Sequence, residues 1–202
     1  MSTLYIVATP IGNMEDMTLR AIRVLGEVDV VLAEDTRVTG GLLKRHGLQA
    51  KMKSYHQRSS DQVAEQIIEL LEEGKNLALV TDAGTPGVAD PGNELIDKVL
   101  KALPETRIEP IPGASSLTAA LSVCGFRPNE FVFSGFLPHK KGRMTLLNEI
   151  AELDRTVALF ESQHRIQKLF QALVARDPDR RSAASREVPK MSESRSRATG
   201  HD

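Results

Sequence analysis

The sequence predicts an α/β protein of two domains, the second incomplete, and three observations predict it. Strand-like runs such as Leu4–Ala8 and Leu77–Val80 are apolar throughout instead of alternating, as in a parallel sheet covered on both faces. Each is followed by a loop and a helix-spaced segment, giving a repeated β-loop-α rhythm. Near residue 110 the texture changes at a Pro-Ile-Pro-Gly stretch, about where a first domain of this kind ends. The expected division is a first α/β domain over 1–112, a partial second over 113–175, and a divergent tail without regular structure over 176–202.

The elements follow in chain order. "LYIVA" (4–8) is a β-branched run ended by Pro10 and Gly12, and reads as a buried strand. "DMTLRAIRVLGEV" puts Leu19, Ile22 and Leu25 on one helical face, with Asp16 as N-cap and Gly26 as terminator. "VDVVLAED" (28–35) is the second strand. "SSDQVAEQIIELLEEGKN" is the clearest helix: Val63, Ile67 and Leu70 or Leu71 recur between a serine cap and Gly74. "LALV" is the next strand and "NELIDKVLKAL" the next helix. In the second part "FVFSGFLP" (131–138) and "TVALFES" (156–162) are strand-like, with helices from about Arg143 to Leu153 and about His164 to Ala175. Beyond Ala175 there is no Leu, Ile or aromatic residue to build a core.

Composition narrows the function. The 202 residues are 41% hydrophobic and 26% charged, ordinary for a globular protein. A net charge of -1 argues against a purely electrostatic nucleic-acid binder and leaves room for a local basic patch. The single cysteine, Cys124, excludes an intrachain disulfide and reads as a small packed hydrophobe in a reducing cytoplasm. No signal peptide is read at the N-terminus, and no apolar run approaches the ~18 residues of a membrane span. The five histidines show no ligand spacing, so no metal site is expected. Dinucleotide, Walker and nucleophile-elbow motifs are missing.

In an open α/β sheet, ligands sit outside the carboxyl ends of the strands. "TPIGN" (9–13), "EDTR" (34–37), "TDAGTPGVADPG" (81–92) and "PGASS" (112–116) all fall at such ends. Their glycines and small side chains let a ligand approach the backbone. Any one is also an ordinary turn, but four at one edge point to a shared pocket. Glu34 and Asp35 are placed to take a proton from a substrate, or else to cap the next segment or pair with Arg37. "HKKGR" (139–143) suits phosphate contacts, and reads equally as a solvated charge run.

Six segments carry a resemblance. "YIVATPIGNMEDMTLRAIRVL", "DVVLAEDTRVTGGLL", "ALVTDAGTPGVADPG", "IPGASSLTAAL", "FVFSGFLPHKKGR" and "LFESQHRI" run in unbroken order from about Leu4 to Val174. They resemble the successive signatures of the S-adenosylmethionine-dependent 16S rRNA ribose 2'-O-methyltransferases, the small-subunit methyltransferase I family of the tetrapyrrole-methylase fold.

The resemblance implies two α/β domains with S-adenosyl-L-methionine folded in the cleft between them. By motif position, Asp82 would meet the cofactor's ammonium, and Pro10, Ala83, Gly84, Ser115, Ser116 and Leu137 would line it. Glu34 and Asp35 would be the catalytic acids, and Arg37, Lys140, Lys141 and Arg143 would face RNA. The implied reaction is 2'-O-methylation of a cytidine ribose in 16S rRNA of the small ribosomal subunit, by a cytoplasmic homodimer. The alternatives are a methylase of the same fold acting on a tetrapyrrole-type small molecule, or a non-catalytic remnant that binds cofactor or RNA. The family's second domain continues past Ala175 with further strands. Here "ASREVPKM" (184–191) keeps R-E-x-x-K but contains Pro189, so the second domain is expected to be cut short.

Overall fold

The computed structural model describes residues 2–126, 129–185 and, as backbone, 186 and 194–198. The chain divides into two compact units, Met1–Ser116 and Leu117–Asp202. In the first unit the elements are β1 (Thr3–Val7), a 3₁₀ turn at Met14–Asp16, α1 (Leu19–Glu27), β2 (Val30–Ala33) and α2 (Thr36–Arg45). There follow β3 (Met52–Ser54), α3 (Asp61–Glu72), β4 (Leu77–Val80), α4 (Asn93–Ala102) and β5 (Arg107–Ile111). The five strands form one sheet in the order β3-β2-β4-β1-β5, and every pairing is parallel. The expected α/β class is the one observed.

The sheet explains why its central strands read as unbroken apolar runs. Leu77 and Leu79 of β4 join Leu4, Ile6 and Leu32 on one face, under Ala64, Ile67 and Leu71 of α3 and Leu95 and Val99 of α4. Ala78 and Val80 join Val7, Val31 and Ala33 on the other face, under Ala21, Val24 and Leu25 of α1 and Leu42 and Leu43 of α2. Each fully buried leucine contributes roughly 1.5–3 kcal/mol. Both faces are covered, so alternation has nothing to mark.

The same packing sets the direction of the connections. The helices after β1 and β2 cover one face, whereas the helix after β4, which lies between those two strands, covers the other. Adjacent chain segments therefore diverge at the carboxyl end of β4, which is a topological switch point.

Local details depart from the sequence reading. Thr18, not Asp16, caps α1, its hydroxyl accepting from the Ala21 N–H, because Asp16 is used in the preceding 3₁₀ turn. Gly26 lies inside the helix. The buried face is Ala21, Val24 and Leu25, and Leu19 is 86% exposed. In α3 the choice falls on Leu71, and Gly74 closes the helix, with Gly74 and Lys75 N–H groups bonding to the Leu71 and Leu70 carbonyls. Helix α2 and strands β3 and β5 were not legible. Helix α2 contains two glycines and two threonines, and β5 is an edge strand that tolerates Pro110.

The second unit holds α5 (Ser116–Val123, which begins at the last residue of the first unit), β6 (Phe131–Phe136), α6 (Arg143–Glu152), β7 (Thr156–Phe160) and α7 (Ile166–Val174). Strands β6 and β7 pair in parallel, with a register shift between Phe133 and Phe136. Leu137, Leu147, Ile150 and Leu169 form its core. Among the described residues no helix is long and apolar enough to cross a membrane.

The stretch read as a structureless tail differs. Strand β8 (Ser182–Arg186) pairs antiparallel with β9 (Ser194–Ala198). Before them, Arg180 donates to the carbonyls of Ile150 (2.6 Å), Leu153 (2.5 Å) and Arg155 (2.8 Å), filling the open C-terminal end of α6. Neither feature has an aliphatic signature, which is why composition missed them. Pro189 lies outside the described residues.

Candidate active site

The carboxyl edge of the first unit's sheet gathers the loops that follow β1, β2, β4 and β5. Two backbone hydrogen bonds join Thr9 and Gly84: Thr9 N–H donates to the Gly84 carbonyl at 2.9 Å and Gly84 N–H to the Thr9 carbonyl at 3.1 Å. Gly84 has φ +92°, a conformation β-branched residues avoid, and an added Cβ would sit 3.4 Å from Ile11. The Thr9 hydroxyl donates to the Thr81 carbonyl at 2.9 Å, and the Thr85 hydroxyl to the Ala114 carbonyl at 3.3 Å. At Gly113 a Cβ would come within 2.9 Å of the Ala8 Cβ, so the β5 loop packs directly on the β1 loop. Three of the four loops are thereby tied to one another.

Acids join the fourth. Glu34, at the end of β2, accepts from the Thr81 hydroxyl at 2.7 Å and from the Asp82 N–H at 3.4 Å. Asp82 in turn accepts from the Asp35 N–H at 3.1 Å. Asp35 caps α2, accepting from the Arg37 N–H at 2.8 Å, and takes the Arg37 guanidinium at both oxygens (3.0 and 2.6 Å). That fork holds the Asp35 carboxyl down at about 2. The capping and pairing reading of Asp35 is the one the geometry realises.

Two other acids on the edge move the opposite way. Burial, then the charge of Glu34, pushes Asp82 above the usual carboxylate range. The same two causes push Asp90 up to about 6. Like-charged neighbours in a partly desolvated site produce this pattern, and such perturbed groups cluster where chemistry is done. Among the described residues no group of His, Cys, Asp and Glu could hold a metal ion.

The remaining sequence-predicted residues fall as follows. Pro10 is buried, Asp82 and Ala83 are exposed, and Ser115 and Ser116 are half-buried after β5. Leu137 is in the second unit, its side chain committed to that unit's core. Lys140 and Lys141 are exposed. Arg143 is not: its guanidinium is tied to Glu161 at 3.0 Å and to the Pro138 carbonyl at 3.3 Å.

The family model of the tetrapyrrole (corrin/porphyrin) methylases matches residues 3–190. A Thermotoga maritima protein named ribosomal RNA small subunit methyltransferase I is 40% identical over 191 residues, covering 95% of this chain and 85% of its own. The chain belongs to this methylase family. A Neisseria meningitidis serogroup B protein of the same name is 42% identical over 192 residues, and the chain spans 95% of itself but only 65% of that relative. Among solved structures, the methyltransferase CobJ superposes with a TM-score of 0.74 at 20% identity, covering 100% of this chain and 88% of that one. At that identity the likeness concerns the fold.

For this methylase, sequence reasoning passed over Thr9, Thr81 and Asp90. Asp90 stands in the same punctuated loop as Asp82 and Gly84, between Ala89 (φ +61°) and Pro91, and an acid there was the available signal. The threonines gave none. Thr81 is buried and its partners are 47 and 72 residues away, distances no local pattern encodes.

Proposed function

We propose that the chain is an S-adenosylmethionine-dependent methyltransferase that modifies the 2'-hydroxyl of a cytidine ribose in the 16S rRNA of the small ribosomal subunit, working in the cytoplasm as a homodimer. The observation that carries this reading is the name shared by relatives 40% and 42% identical along 95% of the chain.

The residues of the edge suit the cofactor. It is positively charged at its ammonium and sulfonium, and Glu34, Asp82 and Asp90 place acids around loops built of Ala83, Gly84, Gly113 and Ala114. In our assignment Asp82 meets the ammonium, while Pro10, Ala83, Gly84, Ser115 and Ser116 line the ligand. When bound, the cofactor supplies an electrophilic methyl group. The chain's task is then to align the ribose oxygen with that carbon and to receive the hydroxyl proton. Glu34 is assigned the proton, because Thr81 and the Asp82 N–H fix its orientation. Asp35, held at about 2 by Arg37, is a poor base and serves to position Arg37 at the edge, where it faces RNA.

The test is tritiated-methyl transfer to small subunits from a strain lacking the corresponding enzyme. Glu34→Gln is expected to lower turnover about 10²–10⁴-fold, with calorimetric cofactor affinity nearly unchanged. Transfer to a tetrapyrrole precursor but not to subunits would move the substrate to a small molecule. Cofactor binding without transfer to either would make the chain a non-catalytic binder.

A further inference from the structure

The second unit contains a buried acid that the reaction does not use. The Glu161 side chain is 1% exposed and sits just after β7. One of its oxygens accepts the Ser162 N–H at 2.8 Å and pairs with Arg165 at 2.6 Å, and the other pairs with Arg143 at 3.0 Å. Burial alone would raise this carboxyl, but the Ser162 N–H and the two guanidiniums outweigh it and hold it below its ordinary value. Both arginines reach further. Arg143 donates to the Pro138 carbonyl, and Arg165 donates to the Ser162 hydroxyl at 3.1 Å and to His139 Nδ1 at 2.7 Å.

These contacts fasten both ends of the basic loop. Pro138 and His139 stand at its start and Arg143 at its end, where α6 begins behind Gly142. Between them Lys140 and Lys141 project as the exposed tip, and neither has an ion pair among the described residues. One buried carboxylate against two guanidiniums, two lysines and a histidine leaves a net positive tip on a chain whose overall charge is -1. A solvated charge run needs no such anchoring, since exposed pairs are worth little and loops of this kind ordinarily move. A buried pair broken on one side is, by contrast, strongly unfavourable.

We propose that Glu161 is a positioning residue that fixes Arg143 and Arg165 as struts, so that Lys140 and Lys141 are held out to the phosphodiester backbone of single-stranded RNA. This rests on the RNA reading above and divides the labour within it. The lysines contact phosphate, and Arg143 does not.

The experiment measures binding of the full chain to small subunits and to a short single-stranded RNA over a salt series, with cofactor affinity and thermal unfolding as controls. Replacing Lys140 and Lys141 by alanine is expected to reduce the slope of log affinity against log salt by roughly 1.4–1.8, two phosphates' worth. Glu161→Gln is the decisive variant because it removes a negative charge and so makes the loop more positive. If the carboxylate only neutralises, this variant binds RNA more tightly and with a steeper slope, and the proposal falls. If it positions the lysines, binding weakens at least several-fold and the slope declines towards that of the double-lysine variant, with cofactor affinity retained. Should Glu161→Gln fail to fold, Arg165→Lys serves instead. It keeps every charge but breaks the ties to His139 and Ser162, so weakened binding supports the strut and unchanged binding overturns it. A parent chain that binds neither RNA sinks the substrate reading and the strut together. A parent that binds while both substitutions leave affinity and slope intact sinks the strut alone.

Discussion

Asp90 carries the largest upward carboxyl shift on the edge, and it makes stability depend on pH. Burial, reinforced by Glu34, raises it to about 6 from an ordinary value of 3.8. Between those values the folded chain binds more protons than the unfolded one, so stability falls as pH rises from about 4 to about 6. Asp35 works in the opposite sense. Its value of about 2 gives a contribution that is present above its ordinary pKa and is lost as pH falls towards 2. Asp90→Asn removes the charge that burial opposes. The variant is expected to match the parent near pH 4 and to exceed its stability at pH 7 by about 1 kcal/mol, after discounting for solvent around a half-buried group. Urea unfolding at the two pH values checks this, and equal stability at pH 7 would mean that Asp90 is solvated. Individual residues divide by the same logic. Asp82 and Gly84 were readable because the loop's own composition marks them. Thr81 and Asp90 matter through neighbours that only the folded edge supplies.

Among elements, α6 has its C-terminal end completed from far along the chain. The Ile150 carbonyl takes the N–H of the cap residue Leu153 at 3.3 Å, and Arg180 adds hydrogen bonds to that carbonyl and to those of Leu153 and Arg155 beyond the helix. Arg176 adds a hydrogen bond to Asn148 at 2.8 Å. Arg180→Ala is expected to cost about 1.5–3 kcal/mol, the range for hydrogen bonds from charged groups, and thermal unfolding measures it. Limited trypsinolysis gives a second reading. Arg181, which is exposed, is expected to be cut well before Arg180 in the parent chain. If cleavage after Arg180 is equally fast, the cap is open in solution. Composition had marked this region as structureless because it holds no Leu, Ile or aromatic residue. An arginine that caps a helix leaves no such trace.

At the scale of the molecule, a ligand that binds only the folded chain stabilises it by mass action. S-adenosylmethionine at one hundred times its Kd is expected to raise unfolding free energy by about 2.7 kcal/mol. Denaturant titration with and without cofactor measures this, and an unmoved transition would argue against binding by the folded chain. The sequence by itself determined the α/β class, the central strands and the position of four loops on the candidate edge. Those features are written in short range, as apolar runs of the right length and clusters of glycine and proline. Tertiary structure decided the rest. The order β3-β2-β4-β1-β5 puts Glu34 beside Thr81, 47 residues away, and the opposed faces of α2 and α4 open the edge at β4. In the same way it paired Arg143, which was expected to face RNA, with buried Glu161. The physical reason is that a side chain's charge and hydrogen bonds are satisfied by whatever the fold brings within about 3 Å, and that distance is unrelated to separation along the chain.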